Sequence, residues 1–455
     1  MEFRLMRAGK SIVAVSAFAL LTSAVSIPVA QAQDTNQQQS AAGGQQPAAG
    51  QKNWKDRAEY DLYAKITQTP DPAARLQLLN QWQDKYPQTD YNQERYQFYL
   101  ATLNALAAKD PSQRQALIQK ASDWLKTDPN NFQALYAITY NGPLQGKENP
   151  PPDLVAQVET AANGVISGAD TAFSADKKPP SVDQATFDKA KTQAVAVAHN
   201  SLAWAALSKK DNAKAESEYT ASLQANPEQA SISALLGKMY VTDKKEPEGL
   251  FEFARAGQYD GPGALQPAAR QQMLDYFNKA YKSYHGSDEG KQQLLDQAKT
   301  SAVPPADLKI TSAQALATQE ADVLNQRIAS DPGFKVWYAV KQSLQDKGDA
   351  FFNSSVKEFD LPGETVPSKS FTGTVISVDP NKVTLGVEDP AKPDATLEFS
   401  QPLPASAMDK VKVGEKLDFS GIVDGYTKDP YMLTFKDPTI PGVQTTAPAR
   451  KGRRR

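Results

Sequence analysis

Two histidines, His199 and His285, stand 86 positions apart, and they are the side chains here whose ordinary pKa lies nearest neutrality. A metal or acid–base site would need partners at ligand spacing, as in H-E-x-x-H, and neither histidine has one. His199 falls inside a helical pattern, where a packing role outweighs a catalytic one. His285 precedes Gly286 at a helix end, where a cation suits the exposed carbonyls and the dipole. The chain carries no G-x-S-x-G, no phosphate loop, no G-x-G-x-x-G and no acidic calcium loop. It has no cysteine, which removes a thiolate nucleophile, a Cys metal site, a disulfide framework and a thioether lipid anchor. Asp and Glu number 52, so a glycosidase-type carboxylate pair has raw material, but no spacing selects a pair. Solvated charge on helix faces accounts for most of them. The expectation is a protein without catalytic residues, metal or cofactor.

The ends differ from the body. Arg4, Arg7 and Lys10 precede an apolar stretch over 12–21, and Ala30-Gln31-Ala32 follows. That order predicts a cleaved secretory signal over 1–32 and a periplasmic or extracellular protein that is not a lipoprotein. An uncleaved anchor is the competing reading, although Ser16, Thr22, Ser23, Ser26 and Pro28 dilute the stretch. Residues 33–52, rich in Gln, Ala and Gly, have too little apolar surface to order and read as a disordered leader. The last residues, 443–455, form a basic tail with Arg450, Lys451, Arg453, Arg454 and Arg455. Setting aside the signal (three basic, one acidic) and those five leaves 42 basic against 51 acidic residues, so the body is acidic. The tail could meet an anionic envelope surface, at roughly 1 kcal/mol per cation reduced by salt, or simply keep the chain soluble.

From Trp54 onward the apolar spacing is helical. Ala58, Leu62 and Ile66 share one face, as do Leu76, Leu79 and Trp82. Further helices are expected over 96–107, 111–125, 131–140, 153–167, 183–208, 267–284, 289–302, 311–329 and 334–352. Within 196–229 and 230–263 the pattern repeats at an offset of 34: Leu202 and Leu236, Ala203 and Gly237, Tyr219 and Phe253, Ser222 and Ala256. Small residues at 203 and 237 let two helices approach, and an aromatic ring at 219 or 253 fills the space between hairpins.

This pattern resembles the tetratricopeptide repeat (TPR), whose Leu, small, small, aromatic, small and Pro positions fall on Leu202, Ala203, Ala215, Tyr219, Ser222 and Pro227. The second unit departs from it at Gly249 and Gly261. Counted back from Pro129, the register puts Ala121 where an aromatic belongs and Trp124 where a small residue belongs, so the earlier pairs are called helical hairpins. The resemblance implies a solenoid over 53–356 in which a protein or peptide partner is held in a groove. Its contact positions would be Asn200, Trp204 and Leu207, then Ala234, Lys238 and Val241. Trp204 is the expected anchor, since aromatic side chains carry disproportionate binding energy. Burial against a neighbouring helix is the bland reading of the same residue.

After a linker over 357–369 the period changes to two. Alternating segments at 371–378, 382–387, 395–399, 416–423 and 431–435, with a short helix over 404–410, predict five half-buried strands. Five strands with a helix before the fourth, and Val413-Gly414-Glu415-Lys416 leading into Phe419-Ser420-Gly421, resemble the oligonucleotide/oligosaccharide-binding (OB) barrel over 370–442. Eight lysines against eleven acidic residues over 366–442 disfavour nucleic acid. Phe371, Phe399, Phe419, Tyr431 and Phe435 read as core, and Tyr426 as an exposed loop aromatic. The expectation is therefore a mainly α protein with a small β-barrel, an exported, non-enzymatic scaffold of cell-envelope organisation or assembly. Two alternatives remain open: a module in which the barrel recognises a glycan or nucleic acid, and an envelope hydrolase with an unselected carboxylate site.

Overall fold

The structure, a computed structural model, describes residues 52–146 and 149–443. The expected signal segment, the leader as far as residue 51 and the tail from residue 444, Arg450, Lys451, Arg453, Arg454 and Arg455 included, lie outside them. The chain divides into two compact units between Ser312 and Ala313.

The first unit is helical: α1 (Arg57–Gln68), α2 (Pro72–Lys85), α3 (Asn92–Lys109), α4 (Arg114–Leu125), α5 (Phe132–Asn141), α6 (Pro152–Ala172), α7 (Gln184–Ser208), α8 (Asn212–Ala225), α9 (Ala230–Thr242), α10 (Glu246–Gln258), α11 (Pro267–His285) and α12 (Lys291–Thr300). Several starts are written into the sequence. The side chains of Asp71, Asn131, Asp183 and Asp211 accept from the backbone N–H three residues on, at 2.8, 3.1, 2.8 and 3.0 Å, each worth about 1 kcal/mol. Pro72, Pro152 and Pro267 occupy first helical positions, where a missing N–H costs nothing. Successive helices pack on one another. Their interior falls into three clusters: one from Ile66 to Leu202 around Trp82, Tyr99 and Trp124, one around Tyr219, Leu223 and Leu236, and one around Phe251, Phe253 and Phe277.

The second unit holds α13 (Ala313–Ser330), α14 (Pro332–Ser355), α15 (Ala405–Met408) and strands β1 (Asp360–Leu361), β2 (Phe371–Asp379), β3 (Lys382–Gly386), β4 (Ala395–Glu398), β5 (Lys416–Lys428) and β6 (Tyr431–Thr439). The five-stranded barrel expected from the sequence is here a six-stranded mixed sheet in the order β1-β5-β2-β3-β4-β6, with an additional β5–β6 pairing. Only β4–β6 is parallel among the described pairings. Two features separate it from the expectation. The short β1, inside what read as a linker, pairs with β5 at Asp360–Ile422, and β5 and β6 run past their expected ends to Lys428 and Thr439.

The helices expected over 311–329 and 334–352 belong to this unit rather than to the helical array, so the compact boundary lies at 312/313 and not at 356/357. Phe334, Trp337, Leu344 and Phe352 of α14 share one buried cluster with Phe371, Val375, Phe419 and Phe435 of the sheet. Trp337, 1% exposed, supplies its centre. Its ring lies 5.2 Å from that of Phe371, 6.2 Å from Tyr431 and 6.4 Å from Phe435, centroid to centroid. Trp337→Ala is expected to cost roughly 3–5 kcal/mol. Hydrogen exchange would register it as faster exchange in β2, β5 and β6, with amides of α7 to α10 unchanged; uniform acceleration in both units would contradict this placement.

Candidate functional site

The 34-residue offset reappears in the backbone. Helices α7 and α9 end at Ser208 and Thr242, and α8 and α10 begin at Asn212 and Glu246. Between them the chain makes the same turn twice. Lys210 and Lys244 take left-handed backbone angles, φ 62° and 61°. The N–H of Asp211 donates to Ala206 O at 2.9 Å, and that of Lys245 donates to Tyr240 O at 2.8 Å, the Schellman arrangement that closes a helix. Leu202, Ala203, Ala215, Tyr219, Ser222, Leu236, Gly237, Phe253 and Ala256 are all buried. Ser222 is small for a reason: its hydroxyl donates to Ala196 O at 3.1 Å across the hairpin. Pro227 is exposed, and its carbonyl accepts from Arg255.

The six groove positions do not form one uniform face. Asn200 is half-buried and donates to Gln229 Oε1 at 2.7 Å, so its amide holds the 226–229 loop. Trp204 is half-buried against the first cluster. Ala234 is half-buried and Lys238 exposed. Leu207 and Val241, equivalent in the repeat, are 40% and 37% exposed. Among the six, Leu207, Lys238 and Val241 are thus available to a partner, with Trp204 partly so.

The histidines are used locally. His199 Nδ1 sits 2.8 Å from Glu218 Oε2, joining α7 to α8. His285 Nδ1 donates to Thr311 O at 2.7 Å, while its Nε2 is buried without a partner. Among the described residues no group of three His, Asp or Glu could hold a metal ion.

A buried pair of ionisable side chains missed by sequence reasoning lies inside the array. Glu252 and Arg255 of α10 are 0% and 1% exposed. The Arg255 guanidinium donates to Ser301 O at 3.0 Å, to Ala298 O at 3.5 Å and to Pro227 O, tying α10 to the 226–229 loop and the end of α12. Both carboxyl oxygens of Glu252, the nearby Ser233 Oγ and Arg255 Nε are buried without partners. Burial pushes the Glu252 carboxyl up to about 8, against the downward pull of Ser233 and Arg255. The available signal was acidic and basic residues set among Leu250, Phe251, Phe253, Ala254 and Ala256, where solvated charge does not belong.

In the second unit, a concavity of about 360 Å³ beside α13 is lined by Leu316, Glu320, Val323, Arg327, Phe334 and Glu388 among others. Two of its charged groups are already engaged. Glu388 pairs with Lys341, and Arg327 donates to Val387 O at 2.6 Å and Glu388 O at 2.9 Å while lying 3.7 Å over the Phe334 ring. Phe371, Phe399, Phe419, Tyr431 and Phe435 are buried as expected. Tyr426 is not the exposed loop aromatic of the sequence reading. It lies in β5, half-buried, with its ring tilted against that of Phe352 at 4.7 Å between centroids, and donates to Asp349 Oδ1 at 2.7 Å. No protein-family model matches the chain, and no curated protein matches it.

The raised Glu252 value fixes the sign of a pH dependence. The folded carboxyl keeps its proton above the ordinary 4.5, so its stabilising contribution is complete below that value and is lost as pH rises through about 8. The unfolding free energy of the helical array should therefore decline by several kcal/mol between pH 5 and 8.5. Glu252→Gln should flatten that decline and exceed the wild type in stability at pH 8.5. Parallel curves from denaturant titrations would refute the burial of an ionisable carboxyl there.

Proposed function

We propose that the protein is an exported, non-enzymatic scaffold whose TPR-type helical array holds a protein or peptide partner along α7 and α9. The carrying observation is the exposed pair Leu207 and Val241, set at the same level of successive hairpins by identical turns. Stacked helices hold such side chains at fixed spacing, so association orders the partner more than the receptor. Trp204 adds a broad apolar flank and Lys238 a cation. Export rests on the charge, apolar stretch and Ala30-Gln31-Ala32 of the first 32 residues. The basic tail would add contact with an anionic envelope surface.

The strand order of the second unit favours a second reading, in which an OB-type module binds a glycan. A parallel β4–β6 pairing, a helix between β4 and β5, and the order β2-β3-β4-β6-β5 support the likeness. The Ser377 and Thr384 hydroxyls, and the Thr372 hydroxyl donating to the Asp418 carboxylate, each pair at 2.6 Å and suit sugar better than bases. Nucleic acid is disfavoured, because the acidic balance opposes phosphate and Tyr426 is already engaged by Phe352 and Asp349.

Crosslinking and affinity capture from envelope extract decides the first reading. Leu207→Asp/Val241→Asp should reduce recovery of specific partners at least tenfold, and Trp204→Ala by a smaller factor, with circular dichroism unchanged. Recovery of the same proteins in the same amounts by both variants as by the wild type would overturn it.

A further inference from the structure

Between α12 and the unit boundary the chain runs without helix or strand over 301–312, yet it is not free coil. Val303 packs against the cluster of Tyr219, Leu223 and Leu236, as do Ile232, Leu235 and Met239 of α9. Leu308 and Ile310 pack against the next cluster, that of Leu250, Phe253 and Phe277. Between these anchors Ala306 and Asp307 form an exposed turn, closed by the Leu308 N–H donating to Pro305 O at 3.1 Å, beyond which Lys309 is exposed while Leu308 and Ile310 are half-buried, the alternation of a short extended stretch. The Pro304-Pro305 pair stiffens it. The array grips it at both ends by main-chain carbonyls. Arg255 Nη1 donates to Ser301 O at 3.0 Å, and His285 Nδ1 donates to Thr311 O at 2.7 Å.

A segment held this way has the marks of a bound peptide rather than of a core element. None of its residues is fully buried, and Ile232, Leu235 and Met239, which pack against the same cluster as Val303, are themselves only half-buried. Few apolar contacts and a sparse backbone ladder place a segment at the low end of local stability. Removing it would bare an apolar trough with an arginine at one end and a histidine at the other. Both donors would be left seeking carbonyl oxygen, and the trough fits a chain that turns once between its two apolar anchors.

We infer that residues 301–312 are an intramolecular occupant of a peptide-binding trough on α9 to α12, and that the trough exchanges them for a partner segment with the same single turn. That segment would be aliphatic, with a proline pair and side chains spaced as Val303, Leu308 and Ile310 are. The surface is distinct from the Leu207 and Val241 face and does not depend on it. While the strap is seated, the trough is closed to partners; a competing segment opens it by mass action.

The probe is a fluorescein-labelled synthetic peptide of residues 301–312, offered to the full chain. Val303→Asp/Leu308→Asp/Ile310→Asp in the protein should release the strap and bind the peptide at least tenfold more tightly than wild type by fluorescence anisotropy. A peptide carrying the same three substitutions should not bind. A folded triple variant that binds no better than wild type overturns the proposal. Hydrogen exchange on the wild type decides the case independently, even where the variant fails to fold. Amides of 301–312 should exchange well ahead of those in α9 to α12, whereas exchange in step with those helices would make the strap a fixed cap and overturn the proposal.

Discussion

The spacing between successive helices is set at two positions where a side chain is missing. A Cβ built at Gly237 would stand 3.0 Å from the Phe253 ring, and one at Gly249 would stand 2.6 Å from Val241 Cγ2 and 3.1 Å from the Gly237 carbonyl. Outer helix α10 therefore rests directly on the backbone of inner helix α9. The preceding hairpin has Ala203 and Ala215 at the equivalent places, each buried, and meets Tyr219 there. Because both contacts are close, the turn joining each pair of helices has little freedom. The repeated left-handed Lys210 and Lys244 follow from that constraint, as does the common level of Leu207 and Val241. Such a backbone angle in a non-glycine residue costs on the order of 1 kcal/mol, which helix packing of this closeness can absorb. The face proposed to hold a partner is thus a consequence of the seam.

Much of this was legible before any coordinates. Helix positions follow from apolar spacing and from Asp-Pro or Asn signals at their starts, and those physical causes act locally. The 34-residue register was also readable, since Leu202 and Leu236 or Tyr219 and Phe253 repeat in type as well as in place. What could not be read was which surface each apolar stripe meets. Phe334, Trp337, Leu344 and Phe352 form a stripe like any other in the array, and nothing in it says that its partner is a sheet. The unit boundary was misplaced for that reason. The groove positions suffered from a related limit. Asn200 has the right phase to face a partner, but its amide finds Gln229, which lies 29 residues ahead and belongs to the next loop. The two-residue β1 is too short to show any alternation.

Charge inside the array obeys a different logic from charge on its surface. Arg255 is desolvated, and burial pulls its pKa down, yet carbonyl oxygens from two separate loops meet its guanidinium. Its planar fork supplies several donors at once, which a lysine could not match. Glu252, one helical turn away, has no such provision. A carboxyl with both oxygens unpartnered is tolerated by keeping its proton, so the pair is not a conventional buried ion bridge near neutrality. Arg255 can therefore be read as a structural tie and Glu252 as a cost carried by the same helix. The distinction matters for mutation, because removing the arginine strands three carbonyls while neutralising the acid strands nothing.

The same accounting bears on what the sheet can do. An open barrel-like sheet offers a ligand either its interior or its outer face. Here the interior already contains an indole: Trp337 enters from α14 and lies among Phe371, Phe419, Tyr431 and Phe435. Its Nε1 and the Tyr431 hydroxyl are buried without partners, so this core gives up hydrogen bonds for packing, an exchange that suits stability rather than recognition. Any ligand must then use the outer face, where the side chains that pair are Thr372, Ser377, Thr384 and Asp418. Hydroxyls and a carboxylate can bond to sugar hydroxyls but give neither a stacking platform nor a cationic track. With Tyr426 pinned to Asp349 and Phe352, the chemistry of that face points toward carbohydrate or protein and away from single-stranded nucleic acid.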